Sequence, residues 1–285
     1  MKRTADRTAS HILRIACPDR TGIIHEVTGA LARRGCNIVQ NDEFVDRERD
    51  AFFMRTEFTG GRDAQGLARE LRRRLPVGAS IELVRPRRKR IVILASREPH
   101  CLGDLLLRHA SGELEADVVA VLSNHRELGV LARRFGVRFI AVPSEGIDRA
   151  AHERALEAQL SRLRPEFLVL AKYMRILSPE LVSRYAGRII NIHHSFLPAF
   201  VGAQPYRQAA ERGVKIIGAT AHFVTEELDQ GPIISQGVVP VDHSHGVRDM
   251  AQAGRDVEKI VLARALKLVF EDRIFVSGNR TVIFD

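Results

Sequence analysis

The sequence predicts a two-domain α/β protein: a small split βαβ sandwich over residues 1–86, then a larger and mostly parallel sheet covered by helices over residues 87–285. Three observations carry this. At 285 residues the chain exceeds the usual size of one compact domain. Its first part runs strand, helix, strand, strand, helix, strand. Beyond a basic stretch around Pro86, continuous Val/Ile/Leu runs alternate with amphipathic helices, the pattern of strands buried on both faces.

In chain order, residues 12–16 form a short apolar strand. The turn Pro18-Asp19-Arg20-Thr21-Gly22 opens a helix whose apolar face uses Ile23, Ile24, Val27, Leu31 and Ala32, and Gly35 ends it. Strands follow at 37–45 and 51–58 around a charged turn, then a helix over 65–75 and a strand at 80–84. Residues 85–90 hold five cations and a proline, which reads as a solvated linker. The second domain continues with strands at 91–95, 118–122, 138–142, 167–171 and 189–192. Helices lie between them from Cys101 and over 127–134, 149–163 and 179–185. A strand at 218–224, a helix over 248–270 and a hairpin around Gly278 complete it.

Composition narrows the function. Hydrophobic residues at 45% and charged residues at 28% suit a folded globular protein. The longest apolar runs fall far short of the ~20 residues that cross a bilayer. The start, with Lys2 and Arg3 and then polar through Ser10, lacks the apolar middle of a secretory signal, so a cytoplasmic protein is expected. Cys17, Cys36 and Cys101 have no CxxC spacing and are expected as reduced thiols in or near the core. A net charge of +9 suits an acidic partner, but with no Trp and three Tyr there is no stacking surface for single strands. Neither nucleic acid nor membrane is expected as a partner.

Chemistry concentrates after the strand at 189–192. Alternation puts Asn191 and His193 on one side, where a carboxamide and an imidazole converge on a single carbonyl oxygen. The strand at 218–224 leads into the turn 225–232, which supplies the carboxylate of Asp229. The helix entry over Asp19, Arg20, Thr21, Gly22 and Ile23 offers free N–H groups to a carboxylate ligand. Asn37 and Asn41 are expected to share one strand face beside it. His193-His194 and Asp242-His243-Ser244-His245 invite a metal, but adjacent strand residues point to opposite faces, and none is expected.

The stretches NIHHSFLPAF, GATAHFVTEELDQGPII and Lys172-Tyr173-Met174-Arg175-Ile176-Leu177 resemble the Rossmann-like formyltransferase fold of enzymes that use 10-formyltetrahydrofolate. The first segment, best at Cys17-Pro18-Asp19-Arg20-Thr21-Gly22-Ile23-Ile24, resembles the ferredoxin-like ACT domain. With both parts and the double histidine, the whole chain is similar to the formyltetrahydrofolate deformylase family. That resemblance implies hydrolysis of 10-formyltetrahydrofolate to formate and tetrahydrofolate, supplying formate for purine biosynthesis and balancing the one-carbon folate pool. It assigns catalysis to Asn191, His193 and Asp229, and substrate binding to Met174, Arg175, Ile176, Leu177, Glu226, Glu227, Leu228 and Gly231. It also implies no cofactor, a homo-oligomer, and an amino-acid effector at Asp19, Arg20, Thr21, Gly22, Ile23 and Asn37. The end of the first strand argues for water as acceptor. Purine-pathway relatives carry a Gly- and Ser-rich phosphate loop there, whereas this chain has Ser96-Arg97-Glu98-Pro99-His100, with a carboxylate that repels phosphate. The rival readings are a formyltransferase acting on an amine and a non-catalytic amino-acid sensor.

Overall fold

The computed structural model describes residues 10–61, 64–198 and 205–285, and no helix among them is long and apolar enough to cross a membrane. The stretch bearing Lys2 and Arg3 and the last two residues of NIHHSFLPAF lie outside the described residues. The chain forms two compact units. One takes the described residues up to Arg87 with Glu271–Ser277 and Val282–Asp285; the other takes Arg88–Phe270 and Gly278–Thr281.

In the first unit β1 (Ser10–Pro18), α1 (Ile23–Arg33), β2 (Cys36–Asp46), β3 (Ala51–Gly60), α2 (Ala64–Arg74) and β4 (Ser80–Val84) follow in order. The strands form an antiparallel sheet in the order β2-β3-β1-β4. Leu13 and Ile15 of β1 meet Val27 and Leu31 of α1 and Leu67 and Leu71 of α2, so both helices cover one face. On the other face Phe53 packs with Phe275 and Phe284, and the buried Arg55 donates to the carbonyls of Glu271 (3.1 Å) and Asp272 (3.3 Å). The C-terminal residues, expected with the larger domain, thus pack here instead, because an amphipathic sheet needs an apolar cover on each buried face. A second expectation also changes. A bulge between Ile38 and Gln40 inserts Val39, so Asn37 pairs with Thr59 and Asn41 with Thr56. Those partners are an odd number of residues apart, so the two asparagines occupy opposite faces.

The second unit runs β5 (Lys89–Ala95), α3 (His100–Ser111), β6 (Ala116–Ser123), α4 (Gly129–Arg134), β7 (Phe139–Ala141), α5 (Arg149–Leu163) and β8 (Phe167–Leu170). It continues with α6 (Pro179–Arg184), β9 (Ile189–His193), α7 (Pro205–Glu211), β10 (Ile216–Phe223), β11 (Ile233–Pro240) and α8 (Val247–Phe270). A hairpin of β12 (Ile274–Ser277) and β13 (Arg280–Ile283) ends the chain. The seven-stranded sheet has the order β11-β10-β9-β8-β5-β6-β7, with the five strands from β9 to β7 parallel and β10 and β11 antiparallel. Strand order reverses at β5, so the carboxyl ends of β5 and β8 flank the crevice where such sheets take ligands.

Two elements here escape sequence periodicity. Helix α7 is too short to show it, and β11 is interrupted by Gln236 and Gly237. The glycine is required by packing, since a Cβ there would lie 2.7 Å from Val261 on α8. The basic run is more than a solvated linker. Arg88 donates to the carbonyls of Leu114 (3.2 Å) and Ala116 (2.7 Å), Arg90 donates to that of Leu163 (2.9 Å), and Lys89 is buried at the start of β5.

Candidate active site

Asn191 and His193 stand at the carboxyl end of β9, and the antiparallel register of β10 sets His222 opposite Asn191 and Thr220 opposite His193. The Thr220 hydroxyl donates to the Ser195 carbonyl (2.9 Å) and accepts from the Leu197 N–H and the Gln236 amide (each 3.0 Å). This fixes the chain as it leaves β9. The turn after β10 folds back on the strand end, with the Phe223 N–H donating to the Pro232 carbonyl at 2.9 Å. Gly231 passes so close that a Cβ would lie 1.8 Å from the Phe223 carbonyl oxygen, so only glycine closes the turn. Asp229 rides on this turn in the left-handed region (φ 57°), which Asp tolerates better than most residues.

His193 Nδ1 lies 3.2 Å from Asp229 Oδ2, and His222 Nε2 lies 3.6 Å from Asp229 Oδ1. The Nδ1–H of His222 donates to the Phe223 carbonyl at 2.9 Å. Its Nε2 is then the acceptor for an N–H of Asn191 Nδ2 at 3.2 Å, which leaves the second N–H of that amide for a ligand. Nε2 of His193 is buried and has no hydrogen-bond partner among the described residues. Burial pushes the Asp229 carboxyl up, but the hydrogen bond and charge of His193 outweigh it and hold the group below the usual carboxylate range. His194 stacks on His193 with ring centroids 5.0 Å apart. Burial, aided by the charges of Lys172 and His193, lowers its pKa to about 4, so this ring is neutral near pH 7.

These groups line a cavity of about 250 Å³. Met174, Arg175, Ile176 and Leu177 from the loop after β8 line it, as do Glu226 and Leu228 from the turn. The exposed side chains of Met174, Ile176 and Leu228 offer an apolar ligand its contact surface. The loop after β8 is anchored by Ser96 at the end of β5, whose hydroxyl accepts from the Met174 N–H at 3.0 Å and whose N–H donates to the Lys172 carbonyl at 3.2 Å. Two expected residues do not line the cavity. Glu227 is exposed, and its carbonyl accepts from the Thr225 hydroxyl within the turn, while Gly231 serves the close approach to β10.

In the first unit, the turn of Asp19, Arg20, Thr21 and Gly22 enters α1 with Gly22 at φ 91° and no side-chain cap, so helix N–H groups there are open. The Asp19 N–H donates to the Asp50 carbonyl at 2.9 Å, the Arg20 guanidinium donates to the Arg74 carbonyl, and Ile23 is committed to the core. Asn37 is exposed on β2 and pairs with Thr59, which pairs with Ser10, so it lies at the opposite end of the sheet from Pro18 and the helix entry rather than beside it.

The formyl transferase family matches residues 89–266 and the ACT domain matches residues 11–75. A formyltetrahydrofolate deformylase of Haemophilus influenzae is 50% identical over 272 residues, covering 95% of this chain and 98% of that protein. The chain belongs to the formyltetrahydrofolate deformylase family. A crystal structure of a formyltetrahydrofolate deformylase from Pseudomonas syringae pv. tomato agrees, with a TM-score of 0.93, 42% identity, and coverage of 98% of this chain and 95% of that one. A glycinamide ribonucleotide transformylase 1 from Symbiobacterium toebii shares the fold of the second unit, with a TM-score of 0.66 and 34% identity, covering 70% of this chain and 95% of that one.

Sequence reasoning did not single out His222, because its place beside Asn191 depends on the antiparallel register. It also passed over a buried ionic group in which Glu258 of α8 meets His100, Lys172 and Tyr206. The available signal was a carboxylate on the buried stripe of α8, between Gly254 and Val261.

Proposed function

We propose that this protein hydrolyses 10-formyltetrahydrofolate to formate and tetrahydrofolate, with Asn191, His193 and Asp229 performing the chemistry. The reading rests on one observation above others: an amide N–H donor, an unpartnered imidazole nitrogen and a half-buried carboxylate meet in the lining of one cavity whose other walls are largely apolar.

The formyl group on N10 is an amide. Water attack turns its planar carbon tetrahedral and puts negative charge on oxygen, where the free N–H of Asn191 contributes about 3 kcal/mol in sites of this kind. The Nδ1–H of His193 is held by Asp229, so Nε2 is the atom that takes the proton of the attacking water. The ionised Asp229 stabilises the imidazolium that results. That ring then gives its proton to N10 as the C–N10 bond breaks, which leaves tetrahydrofolate and formate. His222 serves as a positioning residue through the Asn191 amide. No step calls for a cofactor. Met174, Ile176, Leu177 and Leu228 supply the apolar slot for the pterin, and backbone groups around Arg175 and Glu226 read its polar edge.

The wider reading is a cytoplasmic homo-oligomer that returns formate to purine biosynthesis and balances the folate pool. An amino-acid effector binds the open helix entry of Asp19, Arg20, Thr21, Gly22 and Ile23. The decisive experiment is formate release by pure protein from 10-formyltetrahydrofolate with no acceptor added. Equimolar formate and tetrahydrofolate are expected. Release that depends on an added amine would replace this reading with a formyltransferase.

A further inference from the structure

The crevice at the carboxyl ends of β5 and β8 is filled by charged side chains. Glu258 Oε2 lies 2.8 Å from His100 Nε2 and 3.4 Å from Lys172 Nζ, while the Tyr206 hydroxyl donates to Glu258 Oε1 at 2.9 Å. Glu98 flanks the group, 3.8 Å from Lys172 Nζ and 3.6 Å from His100 Nδ1. Tyr206 lies against α8 at Gly254, where a Cβ would come within 2.0 Å of its hydroxyl. His100, Cys101 and Glu258 have the spacing of metal ligands, but Lys172 already brings a positive charge to the carboxylate oxygen they would share.

The arrangement is costly in two ways. Lys172 and Glu258 are 5% and 1% exposed, and a buried ion pair of this kind is often no more stable than apolar residues of the same volume. Lys172 also adopts φ 61°, a conformation that glycine takes freely and that strains a residue with a Cβ. A lysine held there against both burial and backbone preference points to a use for its side chain. Its location says what that use is. Lys172 and His194 line the same cavity as His193. In a sheet of this topology the crevice at the switch point is where ligands bind.

We propose that Lys172, tied to Glu258, His100 and Tyr206, is a specificity-determining plug that fills the place of an amine acceptor and so confines formyl transfer to water. The proposal rests on the deformylase reading. If the plug is opened, a primary amine attacks the formyl carbon in place of water. A new C–N bond forms, the C–N10 bond breaks, and the proton lost by the amine passes through His193 to N10, giving a formamide and tetrahydrofolate.

The test uses the full chain with 10-formyltetrahydrofolate and a millimolar excess of glycinamide, and mass spectrometry reads the ratio of formylated glycinamide to formate. Lys172→Gly relieves the backbone and opens the crevice, whereas Lys172→Met keeps the volume. His100→Ala opens the same crevice from the β5 side should the glycine variant fail to fold. The ratio is expected to stay near background in the parent protein and Lys172→Met, and to rise on the order of tenfold or more in Lys172→Gly and His100→Ala. The plug is disproved by an unchanged ratio in both opened variants, by equal transfer in Lys172→Met, or by loss of all turnover in a folded Lys172→Gly. Acceptor-free formate release by the parent protein is scored separately, so failure of the deformylase reading is distinguishable from failure of the plug.

Discussion

His193 owes its free Nε2 to the carboxylate on the other side of its ring. Asp229 holds the Nδ1–H, and without a full negative charge there the tautomer is no longer enforced. Asp229→Asn is therefore expected to reduce formate release by roughly 10⁴-fold. Asn191→Ala, which removes the donor to the developing oxyanion, should cost roughly 10²–10³-fold in kcat. In both variants fluorescence titration should find folate binding retained, because the apolar slot is untouched; a parallel loss of binding would count against the assigned roles. His194 adds a pH dependence of stability. Its pKa is about 4 when folded against 6.5 ordinarily, so the unfolded chain takes up the proton first. The contribution is complete above about pH 6.5 and is lost as pH falls toward about 4, at up to about 1.4 kcal/mol per pH unit. Urea unfolding across that range should show a shallower decline in His194→Gln than in the parent, and an identical decline would remove His194 from the account.

Among the elements, the loop after β8 depends on a strand that is distant in sequence. Ser96 at the end of β5 accepts from the Met174 N–H and also donates to Asn124 at 2.8 Å, which ties the ends of β5, β6 and β8 together. Ser96→Ala leaves the Met174 N–H without that acceptor and loosens the slot for the pterin. The expected result is a rise in KM of about fivefold with kcat nearly unchanged, matching the roughly 1 kcal/mol of one hydrogen bond. Steady-state kinetics that show the loss in kcat instead would place Ser96 closer to the chemistry. The turn from β10 to β11 works by a different device, in which Gly231 lets the chain fold back against β10 and so delivers Asp229 to two histidines at once.

For the whole molecule, the C-terminal residues cover one face of the sheet of the first unit. Phe275 packs against Phe53 and Phe284, with the Arg14 guanidinium 4.6 Å above its ring. Phe275→Ala is expected to destabilise that unit by about 3–4 kcal/mol, read as a lowered denaturant midpoint. A midpoint within error of the parent would mean that the C-terminal cover contributes little. The ACT domain carries a regulatory prediction: one of a panel of amino acids at millimolar concentration should change the rate of formate release or the thermal midpoint. Failure of the whole panel on both measures would remove the effector site.

The strand runs at 91–95, 167–171 and 189–192 and the placing of Asn191 and His193 two apart were legible in the linear chain, because local periodicity and turn chemistry depend on near neighbours. Asp229 was legible through the motif that contains it. Contacts between distant residues were not. The bulge at Val39 separates Asn37 from Asn41, the antiparallel register brings His222 to Asn191, and α8 carries Glu258 to Lys172 and His100. Each of these depends on strand register or on how a helix packs, which are properties of the assembled fold that no local window of sequence contains.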